Sequence, residues 1–245
     1  MKNKIIMLLG GNSDIAIATA HKFAKKGCDI QLASRNLDHL KKTQSDLKKL
    51  YNIKCWIYEF DIEKIESHLG FFQNLEEKPH IVICAVGFFN NEKEINGNIE
   101  KTLKIINTNY LGPSIALEAA AKVLITIPEK TYIVGISSVS GDRGRSKTYT
   151  YGSAKAGFNE YLSGLRQKYN GTNLNVITFK PGFVKTKMSK NLNKPNFFTS
   201  TKEEAAEIIY KACETNKNIV YTKYWKIIMG FIKIIPENIF KKLKF

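Results

Sequence analysis

The sequence predicts an α/β protein built on a doubly wound parallel sheet, with helices on both faces. Three observations lead to this prediction. Short apolar runs alternate with helical patterns, the first apolar run ends at two glycines, and no Pro-rich or Ser-rich linker interrupts the 245 residues. Alternation of this kind is typical of parallel sheets covered on both sides. The length and the lack of a linker predict one domain over residues 1–245.

The first unit contains a candidate phosphate-binding turn. Residues 4–9 (KIIMLL) predict a strand, and an amphipathic helix ending at Gly27 follows the glycine pair. A strand, a tight turn and a helix start can hold a pyrophosphate through backbone N–H groups and the helix dipole. Asp14 and Ala16 replace two glycines of the usual pattern, so an ordinary strand-turn-helix is the alternative. The residues predicted to bind a nucleotide here are Gly10, Asn12, Ser13, Asp14 and Ile15.

The later elements continue the alternation. Five further strands are predicted over residues 28–34, 53–60, 81–87, 131–137 and 173–179. Helices are predicted over residues 37–50, 99–126 and 151–169. The last of these strands is closed by Pro181-Gly182. No internal repeat is visible beyond the alternation itself, so the whole pattern predicts one sheet.

A candidate catalytic triple follows the strand at 131–137. Ser138 precedes Tyr151 by thirteen residues, and Lys155 lies four residues after the tyrosine. Residues i and i+4 share a helix face, so the lysine is expected beside the phenol ring. A free tyrosine ionises near pH 10, and a neighbouring cation favours the phenolate and lowers that pKa. These side chains could form a carbonyl-reducing site, although a Tyr-Lys pair at this spacing is also expected by chance.

The ordered set of motifs resembles the short-chain dehydrogenase/reductase family, whose domain is a Rossmann fold. The matching segments are LGGNSDIA, an aspartate after the third strand, CAVG, NTNYLGP, GISS, YGSAK and KPGFVKT. The resemblance implies that Ser138 orients the substrate carbonyl and that Tyr151 donates the proton. It also implies that Lys155 holds the nicotinamide ribose and lowers the tyrosine pKa. Asn109 would support a water-mediated proton relay.

The same resemblance implies further cofactor contacts. Asp61 would contact the adenine, and Thr186 would face the pyrophosphate or the nicotinamide amide. Cys84-Ala85-Val86-Gly87 replaces the family's Asn-Asn-Ala-Gly and removes side chains that usually brace the sheet. The full set expected beyond the glycine turn is Asp61, Ile62, Ala85, Val86, Gly87, Tyr151, Lys155, Pro181, Gly182, Val184 and Thr186.

The end of the second predicted strand indicates which dinucleotide is bound. A carboxylate there would accept hydrogen bonds from the 2′-hydroxyl of NAD, whereas an arginine suits the 2′-phosphate of NADP. This chain has Ser34-Arg35-Asn36 and no carboxylate. We therefore expect NADP(H), with NAD(H) as the alternative cofactor. A simple solvated arginine is the competing interpretation.

Excess positive charge indicates anionic partners. The formal net charge is +16, which favours phosphates, nucleic acid, acidic proteins or an anionic membrane surface. Cations fall in two segments beside the predicted site, at Arg143, Arg145 and Lys147 and at Lys185, Lys187, Lys190 and Lys194. They predict a phosphorylated substrate, with two solvated loops as the alternative.

The C-terminal segment, residues 222–245, mixes lysines with apolar and aromatic residues. Its apolar stretch is too short to span a bilayer but suits the membrane interface. A helix that closes the pocket or forms a dimer contact is the alternative. This tail and the GDRGR segment resemble decaprenylphosphoryl-2-keto-ribose reductases, which implies a lipid-phosphate-linked keto-sugar substrate and a partner oxidase. The family resemblance also implies a homodimer or tetramer.

Two other functions are weighed against this one. The first is a 3-oxoacyl carrier-protein reductase, which would use the basic loops to meet its acidic carrier, or another small-carbonyl reductase. A non-enzymatic nucleic-acid-binding protein is disfavoured because the chain has no recognisable nucleic-acid motif. The four cysteines lack CxxC spacing and the four histidines form no ligand cluster, so no metal is expected. The opening apolar run is too short for a signal peptide, which predicts a cytoplasmic protein with peripheral membrane contact.

Overall fold

A seven-stranded parallel sheet forms the centre of the protein. The computed structural model describes residues 1–190 and 196–243. Its strands are β1 (Ile5–Leu9), β2 (Asp29–Ser34), β3 (Cys55–Glu59), β4 (Ile81–Cys84), β5 (Thr131–Ile136), β6 (Leu174–Lys180), β7 (Phe183–Val184), β8 (Thr199–Ser200) and β9 (Ile219–Tyr221). The main sheet has the order β3-β2-β1-β4-β5-β6-β9, and β7 pairs separately with β8. The predicted doubly wound parallel sheet is confirmed.

Helices cover both faces of this sheet. They are α1 (Asp14–Ala24), α2 (Leu37–Tyr51), α3 (His68–Gln73), α4 (Glu92–Ile95), α5 (Ile99–Ile106), α6 (Gly112–Leu124), α7 (Tyr149–Lys168), α8 (Lys202–Glu214), α9 (Trp225–Ile234) and α10 (Glu237–Phe240). In the described residues, no helix is long and apolar enough to cross a membrane.

Two apolar cores, one on each face, hold the layers together. Ile6 and Leu8 of β1 pack with residues of α1, α2 and α8, whereas Met7 and Leu9 pack with residues of α3, α6 and α7. Successive strand residues point to opposite faces, so a strand covered on both sides is apolar at every position. All five residues of β1 are buried, as this arrangement requires.

The strand order places a crevice at the carboxyl edge of the sheet. From β1 the chain moves first to β2 on one side and later to β4 on the other. The loops that follow β1 and β4 therefore diverge, and ligands of open α/β sheets bind where the order reverses in this way. The predicted glycine turn and the CAVG segment both lie at this point.

The helix predicted over residues 99–126 is interrupted. A π-helical turn, Asn107–Leu111, separates α5 from α6, and such turns occur frequently at functional sites. At Gly112, which follows the turn, an added Cβ would lie 2.2 Å from the carbonyl oxygen of Ile62. The close approach of α6 to the chain after β3 therefore requires a glycine.

One predicted strand boundary is wrong, and one strand of the main sheet was not predicted. The strand predicted to reach residue 87 ends at Cys84, because residues beyond it turn away from the sheet to line the crevice. Strand β9 was not predicted, since three residues are too short to produce a recognisable period. It pairs with β6 and extends the sheet toward the C-terminal helices.

Candidate active site

A cavity of about 970 Å³ occupies the carboxyl edge of the sheet. It lies between the turn after β1, the segment after β4, the loop after β5 and the segment after β6. It is lined by fourteen of the predicted site residues: Asn12, Ser13, Asp14, Ile15, Ala85, Val86, Gly87, Ser138, Tyr151, Lys155, Pro181, Gly182, Val184 and Thr186. The fold thus brings together segments from four separate parts of the sequence.

The turn after β1 is held against two neighbouring loops. Gly10 has a φ of +79°, and a Cβ there would lie 3.0 Å from backbone atoms of Ala85 and Val86. The Asn12 side chain donates to the Ser34 hydroxyl and to the Asn36 carbonyl, both at 2.9 Å. Gly10, Ser34 and Asn36 therefore shape this end of the cavity without lining it.

The remaining predicted cofactor residues lie farther from the reacting end. Arg35 is exposed, and its guanidinium lies 3.8 Å from the Glu63 carboxylate. The Asp61 carboxylate accepts from the Glu63 N–H at 3.0 Å, and Ile62 is buried beneath α6. These residues, from the ends of β2 and β3, are outside the cavity wall.

Ser138 and Tyr151 meet at the inner end of the cavity. The phenol is hydrogen-bonded with the Ser138 hydroxyl, which also accepts from the Ser140 N–H at 3.1 Å. The Phe89 ring contacts the Tyr151 ring edge-on, with centroids 5.2 Å apart. Burial raises the pKa of Tyr151 to about 12, and the hydrogen bond with Ser138 only partly opposes this rise.

The sequence-based expectation of a lowered tyrosine pKa is therefore wrong for this structure. The Lys155 ammonium lies 5.9 Å from the centroid of the Tyr151 ring and donates to the Ile136 carbonyl at 3.1 Å. Lys155 is 2% exposed, and burial lowers its own pKa to about 8. Loss of hydration outweighs charge attraction at this site, so the phenol stays neutral and able to donate a proton.

Asn109 forms hydrogen bonds with the backbone of the segment after β4. Its side-chain amide donates to the carbonyls of Phe88 and Ile105, at 2.7 and 2.9 Å, and its oxygen accepts from the Phe88 N–H at 3.1 Å. The π-helical turn directs this buried side chain at Phe88. Asn109 therefore fixes the chain beside Gly87, and its role in a proton relay stays a prediction.

Glu92 supports the start of the catalytic helix and was missed in the sequence. Its buried carboxylate accepts from the Thr150 N–H at 2.7 Å and from the Thr150 hydroxyl at 3.0 Å. An acidic group is favourable at a helix N-terminus, and here it binds the residue that precedes Tyr151. The pair is separated by 58 residues, and no local sequence signal connects them.

Helix α9, near the C-terminus, closes one side of the cavity. Trp225 lines the cavity and donates from its indole nitrogen to the Phe198 carbonyl at 3.0 Å. A Cβ on Gly182 would lie 2.1 to 2.4 Å from three indole atoms. The glycine therefore allows α9 to pack directly on the Pro181-Gly182 turn.

The predicted basic residues have different environments. Arg145 and Lys147 line the cavity, whereas Arg143 turns away and pairs with Glu237 of α10 at 2.7 Å. In the second segment, Lys187 lines the cavity, and its backbone N–H donates to the Asp14 carboxylate at 2.6 Å. Lys185 and Lys190 are exposed, and Lys194 lies outside the described residues.

The residues present fit a dinucleotide. The cavity runs from the N-terminus of α1, where N–H groups suit phosphates, to Lys155. The Asn12 side-chain oxygen at this end is buried and has no hydrogen-bond partner within the described chain. At the other end, a Cβ on Gly87 would meet the Asn109 oxygen at 3.3 Å and the Lys155 nitrogen at 4.0 Å. Glycine there leaves space for a ring beside the lysine.

Comparisons with known proteins agree with this geometry. The family model described as short chain dehydrogenase matches residues 4–196. An uncharacterised oxidoreductase of Mycobacterium tuberculosis is 27% identical over 243 residues, covering 97% of this chain and 96% of that protein. A 3-oxoacyl-[acyl-carrier-protein] reductase of Bos taurus is 27% identical over 197 residues, covering 78% and 80% of the two chains.

Solved structures share the fold. A short chain dehydrogenase from Burkholderia cenocepacia in complex with NADP superposes with a TM-score of 0.83 at 17% identity, covering 99% of this chain and 98% of that chain. One from Sphingobium yanoikuyae in complex with NADPH gives a TM-score of 0.81 at 16% identity, covering 96% and 97%. Together with the family match and the catalytic geometry, these findings establish that the chain belongs to the short-chain dehydrogenase/reductase family of NAD(P)-dependent oxidoreductases.

Proposed function

We propose that this protein uses NADP(H) to reduce the ketone of a lipid-phosphate-linked keto-sugar in envelope polysaccharide synthesis. The observation that carries the proposal is a single cavity that joins the Ser138–Tyr151 pair to the apolar C-terminal helix. One end of the cavity provides a neutral phenol beside a serine hydroxyl, and Trp225 of α9 forms part of its wall. The reacting side chains and the apolar helix α9 therefore border the same cavity.

The side chains divide the reaction between them. A nicotinamide held beside Gly87 and Lys155 would supply hydride to the carbonyl carbon. Ser138 holds the carbonyl oxygen, and Tyr151 transfers its phenolic proton to that oxygen as the alcohol forms. The Lys155 ammonium, above the tyrosine ring, stabilises the phenolate that remains. Glu92 and Asn109 hold the catalytic helix and the segment after β4 in place.

Preference for NADP(H) is supported by Arg35 at the end of β2. The arginine is exposed and is 3.8 Å from Glu63, which leaves most of its donors for a 2′-phosphate. Two solved structures with the same fold contain NADP or NADPH. We expect Arg35→Asp to raise the Kd for NADPH at least tenfold more than the Kd for NADH, with Arg35→Lys as the control. Equal effects on both nucleotides would refute the assignment.

The outer face of α9 supports peripheral contact with a membrane. Ile227, Phe231 and Ile234 lie along one side of the helix and are 62%, 65% and 74% exposed, while Trp225 and Met229 pack inward. Exposed apolar groups beside lysines suit an anionic bilayer surface, where each cation adds about 1 kcal/mol. Ile227→Asp with Phe231→Asp should abolish cosedimentation with phosphatidylglycerol vesicles. Unchanged sedimentation would remove the membrane role.

A 3-oxoacyl carrier-protein reductase is the second candidate, because the bovine relative carries that activity in its name. Turnover assays in mild detergent separate the two. NADPH oxidation is followed with a polyprenyl-phosphoryl 2-keto-pentofuranose and with a 3-oxoacyl carrier-protein thioester. Turnover of the sugar alone supports the proposal, whereas turnover of the thioester alone replaces it. A cytoplasmic location, a homodimer or tetramer, and a partner oxidase stay predictions.

A further inference from the structure

Arg145 is a cation in the cavity wall that has no carboxylate partner in the described part of the chain. One terminal nitrogen donates to the Ser140 hydroxyl at 3.0 Å. The Nε atom is shielded from solvent and has no hydrogen-bond partner among residues 1–190 and 196–243. Burial lowers the pKa of this guanidinium. A buried N–H donor without a partner is unfavourable in the protein alone, and a ligand that supplies an acceptor would account for it.

Nearby acidic groups are already engaged. Asp142 accepts from Lys180 at 2.7 Å and from Tyr221 at 2.9 Å, and its carboxylate lies 3.3 Å from the Lys233 ammonium. Glu92, which lines the cavity, is held by the backbone and hydroxyl of Thr150. Neither carboxylate forms a salt bridge with Arg145. The guanidinium is therefore available to an anion that enters the cavity.

Arg143, the other arginine of the same loop, has a structural role. Arg143 donates to the Lys233 carbonyl at 3.1 Å, pairs with Glu237 at 2.7 Å and lies 4.2 Å above the Phe240 ring. These contacts hold the loop to α9 and α10. Arg145 makes none of them and points into the cavity instead, so the two arginines of GDRGR serve different purposes.

The position of Arg145 also limits where the anion is on the substrate. Its guanidinium binds the Ser140 hydroxyl, and the Ser140 N–H binds the Ser138 hydroxyl at 3.1 Å. Ser138 is the residue proposed to hold the reacting carbonyl oxygen. Ser140 therefore contacts both residues, Arg145 through its hydroxyl and Ser138 through its backbone N–H. Arg145 and Ser138 thus lie on the same part of the cavity wall, which favours an anionic group close to the carbonyl carbon.

We propose that Arg145 binds a phosphate ester carried on the carbon next to the substrate ketone. The planar guanidinium offers two parallel N–H donors, a geometry that matches phosphate oxygens. This inference rests on the proposed ketone reduction at Ser138 and Tyr151. It narrows the substrate class, because a 2-keto-furanosyl phosphate carries its phosphate on the neighbouring carbon. A 3-oxoacyl thioester has no charged group on the carbon next to its ketone.

Dihydroxyacetone phosphate and dihydroxyacetone are a matched pair of probes, since they differ only in a phosphate next to the ketone. Calorimetry measures the Kd of each with NADPH present, and absorbance at 340 nm measures its reduction. We expect the wild type to bind the phosphorylated probe at least tenfold more tightly. Arg145→Met should reduce this preference about 10- to 100-fold, the range of one to two charge-assisted hydrogen bonds.

Lys185→Met is the control, because it removes one positive charge from an exposed residue that does not line the cavity. We expect it to change the preference less than about threefold. Arg145→Lys keeps the charge without the paired donors and should fall between Arg145→Met and the wild type. It also provides the test if Arg145→Met does not fold, as judged by its melting temperature.

The outcomes separate this inference from the proposed function. Loss of preference in Arg145→Met but not in Lys185→Met supports the phosphate site, even where neither probe is reduced. Tight binding with no reduction would count against the proposed reaction alone. Equal losses in both variants, or a wild type that binds both probes equally, would overturn the role of Arg145.

Discussion

Replacing Lys155 with methionine should stabilise the protein while it removes activity. The lysine is 2% exposed. Its ammonium donates to the Ile136 carbonyl at 3.1 Å and lies over the Tyr151 and Phe158 rings. The described residues contain no carboxylate within 4 Å of it. Methionine fills a similar volume without a charge, so the variant avoids the cost of placing an ammonium away from water.

The magnitude follows from the pKa of Lys155, which burial lowers from 10.5 to about 8. At 1.36 kcal/mol for each tenfold change in proton affinity, this corresponds to roughly 3 kcal/mol of lost stability near pH 7. The hydrogen bond to Ile136 is lost in the variant and offsets about 1 kcal/mol. We therefore expect Lys155→Met to increase the free energy of unfolding by about 2 kcal/mol.

The stability difference between Lys155→Met and the wild type should depend on pH. Below pH 8 the lysine is charged in both states, and the folded state bears the full cost. Between pH 8 and 10.5 the folded protein binds fewer protons than the unfolded chain, so wild-type stability rises with pH. At pH 9.5 about half of the roughly 3 kcal/mol cost should remain, and above pH 10.5 it should vanish. The difference between variant and wild type should therefore shrink as pH rises.

Urea unfolding, followed by tryptophan fluorescence at pH 7 and 9.5, measures both quantities. Lys180→Met is the control, because Lys180 is also buried but pairs with Asp142 at 2.7 Å. Its removal leaves a buried carboxylate with weaker support and should destabilise the protein by about 3 kcal/mol. A Lys155→Met protein no more stable than the wild type at pH 7, or a pH-independent difference, would refute the reasoning.

Three further predictions concern the elements around the cavity. Gly182→Ala places a methyl group against the Trp225 indole and should lower the free energy of unfolding by about 1 to 3 kcal/mol in urea titrations; an unchanged midpoint would contradict that packing. Glu92→Gln weakens the hydrogen bonds to Thr150, so it should lower the free energy of unfolding by about 1 kcal/mol in the same assay and should also lower kcat. A variant with the kcat of the wild type would contradict this role. Tyr151→Phe should reduce turnover at least about 100-fold with an unchanged Kd for NADPH, and retention of most activity would exclude a proton-donor role.

Local patterns in the sequence were sufficient to predict the sheet and its helices. Buried strands appear as apolar runs and helices as a 3.6-residue period, so both signals are complete within a few neighbouring residues. The Tyr151–Lys155 pair was also local, because residues four apart share a helix face. Strand β9 escaped prediction because three residues carry no period. The prediction of one uninterrupted helix over residues 99–126 was wrong. The π-helical turn that interrupts it contains Asn109, whose partner Phe88 is 21 residues away and therefore outside any local pattern.

The partners and charge states of the site residues depend on residues that are distant in sequence, so only the tertiary structure decided them. Sequence reasoning placed Arg143 and Arg145 in one cationic group, but only contacts with α9 and α10 reveal that Arg143 is a structural anchor. The rise in the Tyr151 pKa likewise reflects burial by Phe89 and its surroundings, which the neighbouring lysine alone could not indicate. The order of elements was determined by the sequence itself, since hydrophobic periodicity is local. The charge state and partners of each site residue were decided by folding, because burial and pairing arise only when remote segments pack together.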